Sequence, residues 1–172
     1  VRSSAASDVY KRQALKGLGG FNLICNAENE KAICRLREIK KRYKKPFAVM
    51  FPDVPTLSHY LNILPLEKEI VSSWRRPIVL LEEKQKIGTG INDGYKTVGA
   101  MLPYLPVHYH LFASSELKAL VMTSGNRGDN PILTDNDAAL SDLLREVDLF
   151  VEHNRDISNR VDDSIVQVVG EQ

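Results

Sequence analysis

The sequence predicts an open α/β fold, and three observations carry that expectation. Short apolar runs such as Ile78-Val79-Leu80-Leu81 and Ala119-Leu120-Val121-Met122 have the length and content of buried strands. From Ala14 onward these runs alternate with stretches of helical period, the clearest placing Ile33, Leu36 and Ile39 on one face. The third is the stretch Lys40-Lys41-Arg42-Tyr43-Lys44-Lys45, which passes through Pro46 directly into the apolar run Phe47 to Phe51. A helix C-terminus attracts some positive charge through its dipole, but five cations in six residues exceed that need. Pro46 bars further helix and pushes Lys45 toward an extended conformation, so the cluster is held at the mouth of a strand. A solvated charge run is the competing reading.

Taken in order, Val1 to Gln13 is rich in small and polar residues and has no apolar period. It reads as a non-native or disordered leader resembling translated adapter DNA, with the reading frame expected to extend upstream, and residues 14–172 form the domain. Lys16-Gly17-Leu18-Gly19-Gly20-Phe21 is a glycine-rich turn before the strand Asn22 to Cys25; its glycines permit convergence of backbone N–H groups on an anion, or simply a turn. Asn26 is expected to cap the helix that ends in the basic cluster. After the strand Phe47 to Phe51, two short helices are expected, with Pro65 in the first turn of the second. Strand Ile78 to Leu81 leads into a polar surface loop or hairpin, Glu82 to Gly94, and then strand Thr97 to Leu102. Val107 to Leu117 reads as helix, on which His108 and His110 diverge, so no metal site is expected. The strand Ala119 to Met122 delivers Thr123, Ser124, Gly125 and Asn126 at its end, where an α/β sheet presents ligand-binding groups; the same residues also suit an ordinary turn. Thr134 is expected to cap a helix burying Leu140, Leu143, Leu144 and Val147, followed by strands Leu149 to Val151 and Ile165 to Val169.

Composition narrows the function classes. With 172 residues the chain can bury a full core, and 23 Lys plus Arg against 22 Asp plus Glu leave a net charge of +1. That balance argues against a general nucleic-acid coat or a membrane-surface protein, while leaving room for a local basic pocket. No membrane span or signal peptide is visible. Cys25 and Cys34 read as buried free thiols of a cytoplasmic protein.

Seven blocks carry a family resemblance. Lys16-Gly17-Leu18-Gly19-Gly20-Phe21, Lys40-x-Arg42-x-x-Lys45-Pro46-Phe47-Ala48-Val49-Met50, Arg76-Pro77-Ile78-Val79-Leu80-Leu81, Met101-Leu102-Pro103-Tyr104, Val121-Met122-Thr123-Ser124-Gly125-Asn126, His153-Asn154-Arg155 and Arg160-x-Asp162-Asp163-Ser164 resemble, in order, the YrdC-like domain of the HypF family of hydrogenase maturation carbamoyltransferases. The resemblance spans about Ala14 to Val169. Four positions depart from the family pattern: Asn22 stands where histidine is usual, Asn26 for aspartate, Tyr43 for proline and Gly128 for serine.

The resemblance implies a twisted open mixed sheet with flanking helices and a concave basic cavity. It also implies formation of carbamoyl adenylate from ATP, with Mg²⁺, and carbamate derived from carbamoyl phosphate, for the cyanide ligands of [NiFe]-hydrogenase. Acylphosphatase, zinc-finger and C-terminal ATPase-like domains accompany this domain in the family, and a partner protein with a C-terminal cysteine accepts the carbamoyl group. Transfer of the blocks gives Lys40 and Arg42 as catalytic contacts to the triphosphate, with Lys45, Thr123, Ser124, Asn126, Arg155 and Arg160 as further nucleotide contacts. Lys16, Gly17, Gly19, Gly20 and Phe21 would line the carbamoyl end. Arg155 and Arg160 could equally form surface ion pairs with Asp156, Asp162 and Asp163. Such chemistry needs positioning and positive charge more than a nucleophilic side chain, which suits a basic cluster without a catalytic triad. Two alternatives stand beside this reading: a threonylcarbamoyl-adenylate synthase of the same superfamily, acting in tRNA modification, and a non-catalytic module binding nucleotide or double-stranded RNA.

Overall fold

A computed structural model of the chain describes residues 12–42, 44–113, 115–126 and 130–170. Eight strands form one sheet in the order β7-β1-β2-β6-β3-β5-β4-β8. In chain order the strands are β1 (Gln13–Lys16), β2 (Phe21–Asn26), β3 (Ala48–Met50), β4 (Ile78–Glu82), β5 (Thr97–Met101), β6 (Leu120–Ser124), β7 (Leu149–Val151) and β8 (Ile165–Val166). The helices are α1 (Glu30–Lys40), α2 (Val54–Tyr60), α3 (Pro65–Ser72), α4 (Pro106–Ala113) and α5 (Asn136–Leu143). β7 with β1, β3 with β5 and β4 with β8 run parallel, and the remaining neighbours antiparallel, so the sheet is mixed as expected.

Strand alternation divides the core between the two faces. Leu23, Val49, Val79, Ala100 and Val121 pack with Ile33 and Leu36 of α1, Leu57 of α2, Val71 of α3 and Leu143 of α5. Ile24, Met50, Met101, Leu120 and Met122 point the other way and meet Val107 and Leu111 of α4. The sheet is therefore covered by four helices on one face and by α4 on the other.

Several boundaries differ from the sequence expectation for physical reasons. Asn29, not Asn26, caps α1, its side chain accepting from Ala32 N at 3.0 Å. Asn26 is still within β2, paired with Leu120, and its Oδ1 accepts from Glu28 N in the turn that follows. Asp135, rather than Thr134, caps α5, accepting from Ala138 N at 2.8 Å; the inward residues are then Ala139 and Leu143, with Leu140 and Leu144 exposed. The loop after β4 is not merely surface, since Ile87 and Ile91 are buried against the core. Cys25 is buried in β2, but Cys34 lies off the apolar stripe of α1 and is exposed, which corrects the expectation of two buried thiols.

At the N-terminal edge, residues 1–11 of the expected leader lie outside the described residues. Gln13 already pairs with Ile24 and Leu149, and Arg12 forms an ion pair with Asp148 at 2.9 Å. No helix among the described residues is long and apolar enough to cross a membrane.

One connection shapes the site more than any helix does. β7 and β8 are opposite edges of the sheet, so residues 152–164 must traverse its whole width. Seven strand spacings come to roughly 34 Å, and this many residues reach about 46 Å when fully extended, so the segment has little slack. It is tacked down along the way: His153 O accepts from Lys16 Nζ at 3.1 Å, Val161 N–H donates to Gly19 O at 3.2 Å, and Ser164 O accepts from Ile78 N at 2.8 Å.

Candidate functional site

The core stripe of α1 builds the site. Ile33, Leu36, Arg37 and Lys40 stand at i, i+3, i+4 and i+7, so the face that begins apolar ends in two buried cations. Lys41 then takes a left-handed conformation, φ 48°, and its N–H returns to Arg37 O and Glu38 O, which ends the helix. The chain reverses there and brings Arg42 back toward the sheet.

Lys40 is only 4% exposed, and its ammonium reaches across to the end of β6. It donates to Ser124 O at 2.7 Å, Asn126 O at 2.8 Å and Ser124 Oγ at 3.3 Å, and it also bonds Asn126 Oδ1. Ser124 Oγ donates to the same Asn126 oxygen at 2.7 Å, and Asn126 Nδ2 donates to Asn130 O. Arg42 Nη1 donates to Thr123 Oγ1 at 3.1 Å while its guanidinium lies 5.7 Å from the centre of the Phe47 ring. Burial, then the charges of Arg42 and Lys45, pull the Lys40 pKa down to about 8, with Asp162 opposing them.

Thus Lys40, Arg42, Thr123, Ser124 and Asn126, named from sequence, converge. β6 runs two residues past Met122, because Thr123 and Ser124 still pair with Leu23 and Asn22. Lys45 is close enough to act on Lys40 electrostatically.

The glycine-rich stretch is the hairpin between β1 and β2, closed by Gly17 N–H to Gly20 O at 2.8 Å. At Gly19 an added Cβ would lie 2.3 Å from Val161 O, so glycine is what lets the crossing segment lie directly on the turn. Lys16 is buried, with its ammonium 6.0 Å from the Phe21 ring centre, and Phe21 itself stacks on Phe150 at 5.1 Å. The Phe21 ring therefore belongs to the core, and its backbone carbonyl accepts Gly125 N–H at 2.5 Å, tying the hairpin to the β6 turn. Arg155 and Arg160 are exposed on the crossing segment, and among the described residues neither is ion-paired with Asp156, Asp162 or Asp163. Of the departures noted in the sequence, Asn22 faces Ser124 in the ladder, whereas Tyr43 and Gly128 lie outside the described residues.

Beneath the crossing segment is a cavity of about 320 Å³ bordered by Gly19, Trp74, Arg76, Tyr104, Asp162 and Asp163. Burial pushes the Tyr104 hydroxyl up, as does its bonded neighbour Asp163; burial and Asp162 in turn raise Asp163. His108, on α4 as expected, packs edge-on to Tyr104 at 4.7 Å, and burial lowers its pKa to about 4, so it is neutral at pH 7. Sequence reading missed this group and Arg37. A cation recurring on the apolar stripe of α1 was the available sign for Arg37, because such a residue is buried only with acceptors around it.

The fold and site define an open mixed-sheet α/β domain with cations, hydroxyls and an amide converging at the end of a central strand. The Sua5/YciO/YrdC family model, described as telomere recombination, matches residues 12–172, and the chain belongs to that family. It is 40% identical to carbamoyltransferase HypF2 of Cupriavidus necator, an alignment covering 92% of this chain and 22% of that protein. The solved structure of full-length HypF in the phosphate- and nucleotide-bound form superposes with a TM-score of 0.88 at 47% identity, covering 91% of this chain and 25% of that one. The Sua5 structure of P. abyssi complexed with L-threonine gives a TM-score of 0.81 at 20% identity over 92% of this chain and 47% of that one, a likeness of fold. The chain spans about a fifth of the length of the curated HypF relatives it matches.

Proposed function

We propose that this domain binds MgATP at the end of β6 and forms carbamoyl adenylate, as one step of carbamoyl transfer in hydrogenase cyanide-ligand maturation. The observation that carries the reading is the convergence of Lys40 and Arg42 on Thr123, Ser124 and Asn126. It is supported by similarity to HypF carbamoyltransferases along nearly the whole chain.

In the proposed reaction a carbamate oxygen attacks the α-phosphorus of ATP. The new P–O bond forms as the bond from the α-phosphorus to the bridging oxygen breaks, and that electron pair leaves with pyrophosphate. Negative charge grows on the phosphoryl oxygens and the leaving group, so two cations and oriented donors lower the barrier without a side-chain nucleophile. Arg42 offers a planar fork to phosphate oxygens, and Lys40, its ammonium held by Ser124 and Asn126, a fixed positive charge beneath that turn. Ser124, Asn126 and Thr123 orient the phosphates, Lys45 extends the positive field, and Arg155 and Arg160 would close on the nucleotide from the crossing segment. Lys16 and the hairpin of Gly17, Gly19, Gly20 and the Phe21 backbone would border the carbamoyl group. Mg²⁺ would accompany ATP and be held mostly by phosphate oxygens and water, supplying positive charge to the phosphates. In the longer relatives, acylphosphatase, zinc-finger and ATPase-like domains would supply carbamate and pass the product to a cysteine acceptor.

ATP–pyrophosphate exchange tests the reading. Exchange should depend on carbamoyl phosphate, with an acylphosphatase domain added, and should ignore L-threonine with bicarbonate. Stimulation by threonine and bicarbonate alone would transfer the assignment to threonylcarbamoyl-adenylate synthesis. Failure to bind ATP, with double-stranded RNA bound instead, would make the domain a binding module.

A further inference from the structure

Arg37 is 9% exposed and belongs to none of the groups placed on ATP above. A guanidinium carries five N–H bonds, and each of these has an acceptor. Nε donates to Gly90 O at 2.7 Å; Nη1 donates to Arg42 O at 2.6 Å and Lys45 O at 3.4 Å; Nη2 donates to Ile91 O at 3.4 Å and pairs with Asp93 Oδ2 at 2.8 Å. The guanidinium carbon lies 4.8 Å from the centre of the Phe47 ring. No donor remains to reach a phosphate. The main chain adds a second hold, since Arg42 N–H donates to Arg37 O at 3.0 Å. Arg42 is thus gripped through both its amide and its carbonyl by one residue, five positions away.

We propose that Arg37 is the positioning residue of the basic loop: it fixes the backbone at Arg42 and Lys45 so that Arg42 meets Thr123 and Lys45 stays near Lys40, and it acts on the nucleotide only through them. The inference rests on the MgATP reading of the site. Arginine is required because five acceptors are shared among its three nitrogens. Lysine, with three donors at one point on a flexible stem, cannot satisfy four carbonyls and a carboxylate spread over two loops. The partner loop is shaped for the same purpose, with Gly90 at φ 86° and Asp93 at φ 41° turning their chain so that carbonyls and carboxylate face inward.

The test is a thermodynamic cycle on the full chain, with MgATP titrated calorimetrically. Arg37→Lys should weaken MgATP at least about tenfold, the scale of one charge-assisted hydrogen bond. In an Arg42→Ala/Lys45→Ala background the same change should cost less than about threefold, since nothing is left to position. Hydrogen exchange without nucleotide should speed up at the Arg42 amide in Arg37→Lys while β6 stays protected. If Arg37→Lys does not fold, Asp93→Asn, which loosens the same guanidinium from the solvent side, should weaken MgATP in the same direction. Wild-type affinity in folded Arg37→Lys, or in Asp93→Asn where that is the variant measured, overturns the role while leaving the ATP reading intact. An undiminished loss in the Arg42→Ala/Lys45→Ala background overturns it too, because Arg37 would then act independently of the loop. Absence of MgATP binding by the wild-type chain overturns both.

Discussion

Lys40→Met is the most informative single change, because it separates what the ammonium does for the fold from what it does for a ligand. The side chain keeps its length and apolar stem but loses bonds to Ser124 O, Ser124 Oγ, Asn126 O and Asn126 Oδ1. Hydrogen bonds from a charged donor are worth about 1.5–3 kcal/mol each, so the loss alone would be large. Against it stands the cost of keeping a buried charge beside Arg42 and Lys45, the cost that brings the pKa to about 8. The two terms oppose, and the net change in unfolding free energy should stay within about 2 kcal/mol. Ligand affinity has no such offset: removing a fixed buried charge beside the phosphates, on the scale of one charge-assisted contact, costs about 1.5–3 kcal/mol, or roughly 10- to 150-fold in Kd for MgATP.

The pH dependence fixes the sign of each part. In the free protein Lys40 loses its proton near pH 8, whereas bound phosphate would hold it charged, so binding above that pH takes up a proton. Calorimetry should find affinity falling toward about tenfold per pH unit above pH 8 in the wild type, with this component absent from Lys40→Met. For folding, the native pKa lies below the ordinary 10.5, so between about 8 and 10.5 the unfolded chain holds more protons and Lys40's contribution makes stability rise with pH. Equal MgATP affinity in the two proteins at pH 7, or a wild-type affinity unchanged between pH 7 and 9, would refute the phosphate role of Lys40.

Three other outcomes are expected. Gly19→Ala should destabilise by about 1–3 kcal/mol in thermal or urea denaturation, because its Cβ would lie 2.3 Å from Val161 O and one of the two backbones must move. His108→Leu should remove a stability loss on acidification: with a native pKa near 4 against an ordinary 6.5, the unfolded chain binds the extra proton between those values, so wild-type stability falls as pH drops through that window and the variant's falls less, measured by urea titration at pH 7 and 5. Cys34 should react with a thiol reagent in the native state, whereas Cys25, buried and pushed up to about 12, should react only on unfolding; a native count of two reactive thiols would contradict the packing of β2.

Local chemistry was legible in the sequence, and long-range pairing was not. Pro65 does open α3, Leu149 to Val151 is β7 as read, and Lys40 and Arg42 of the basic cluster do meet Thr123, Ser124 and Asn126. Cap positions shifted because strand ends depend on partners: Asn26 stays extended while Leu120 is opposite it, which delays the start of α1 until Asn29. The burial of Ile87 and Ile91 was hidden for a similar reason, since a polar, glycine-punctuated segment gives no local sign that it will lie over the core. The path of residues 152–164 was the least accessible feature, because it follows from strand order and no local residue preference encodes which edges β7 and β8 will take.

The placement of the cations explains why the site can be strong at near-zero net charge. Ile33 and Leu36 fix the rotation of α1 on the sheet, and the same stripe, continued by one turn, delivers Arg37 and Lys40. Their positions are therefore set by the core rather than by surface attraction. Inside that wall the local dielectric is low, so a few fixed cations exert more force on a phosphate than many solvated ones would. The same enclosure disfavours the charged form of Lys40, whose pKa falls to about 8, while four acceptors at Ser124 and Asn126 hold the ammonium in place. Asp162 adds to this from the crossing segment, raising the Lys40 pKa against the other influences. A segment stretched between the two sheet edges thereby couples the electrostatics of the β6 turn to its own position, so a ligand phosphate that displaced Asp162 would have to replace its charge.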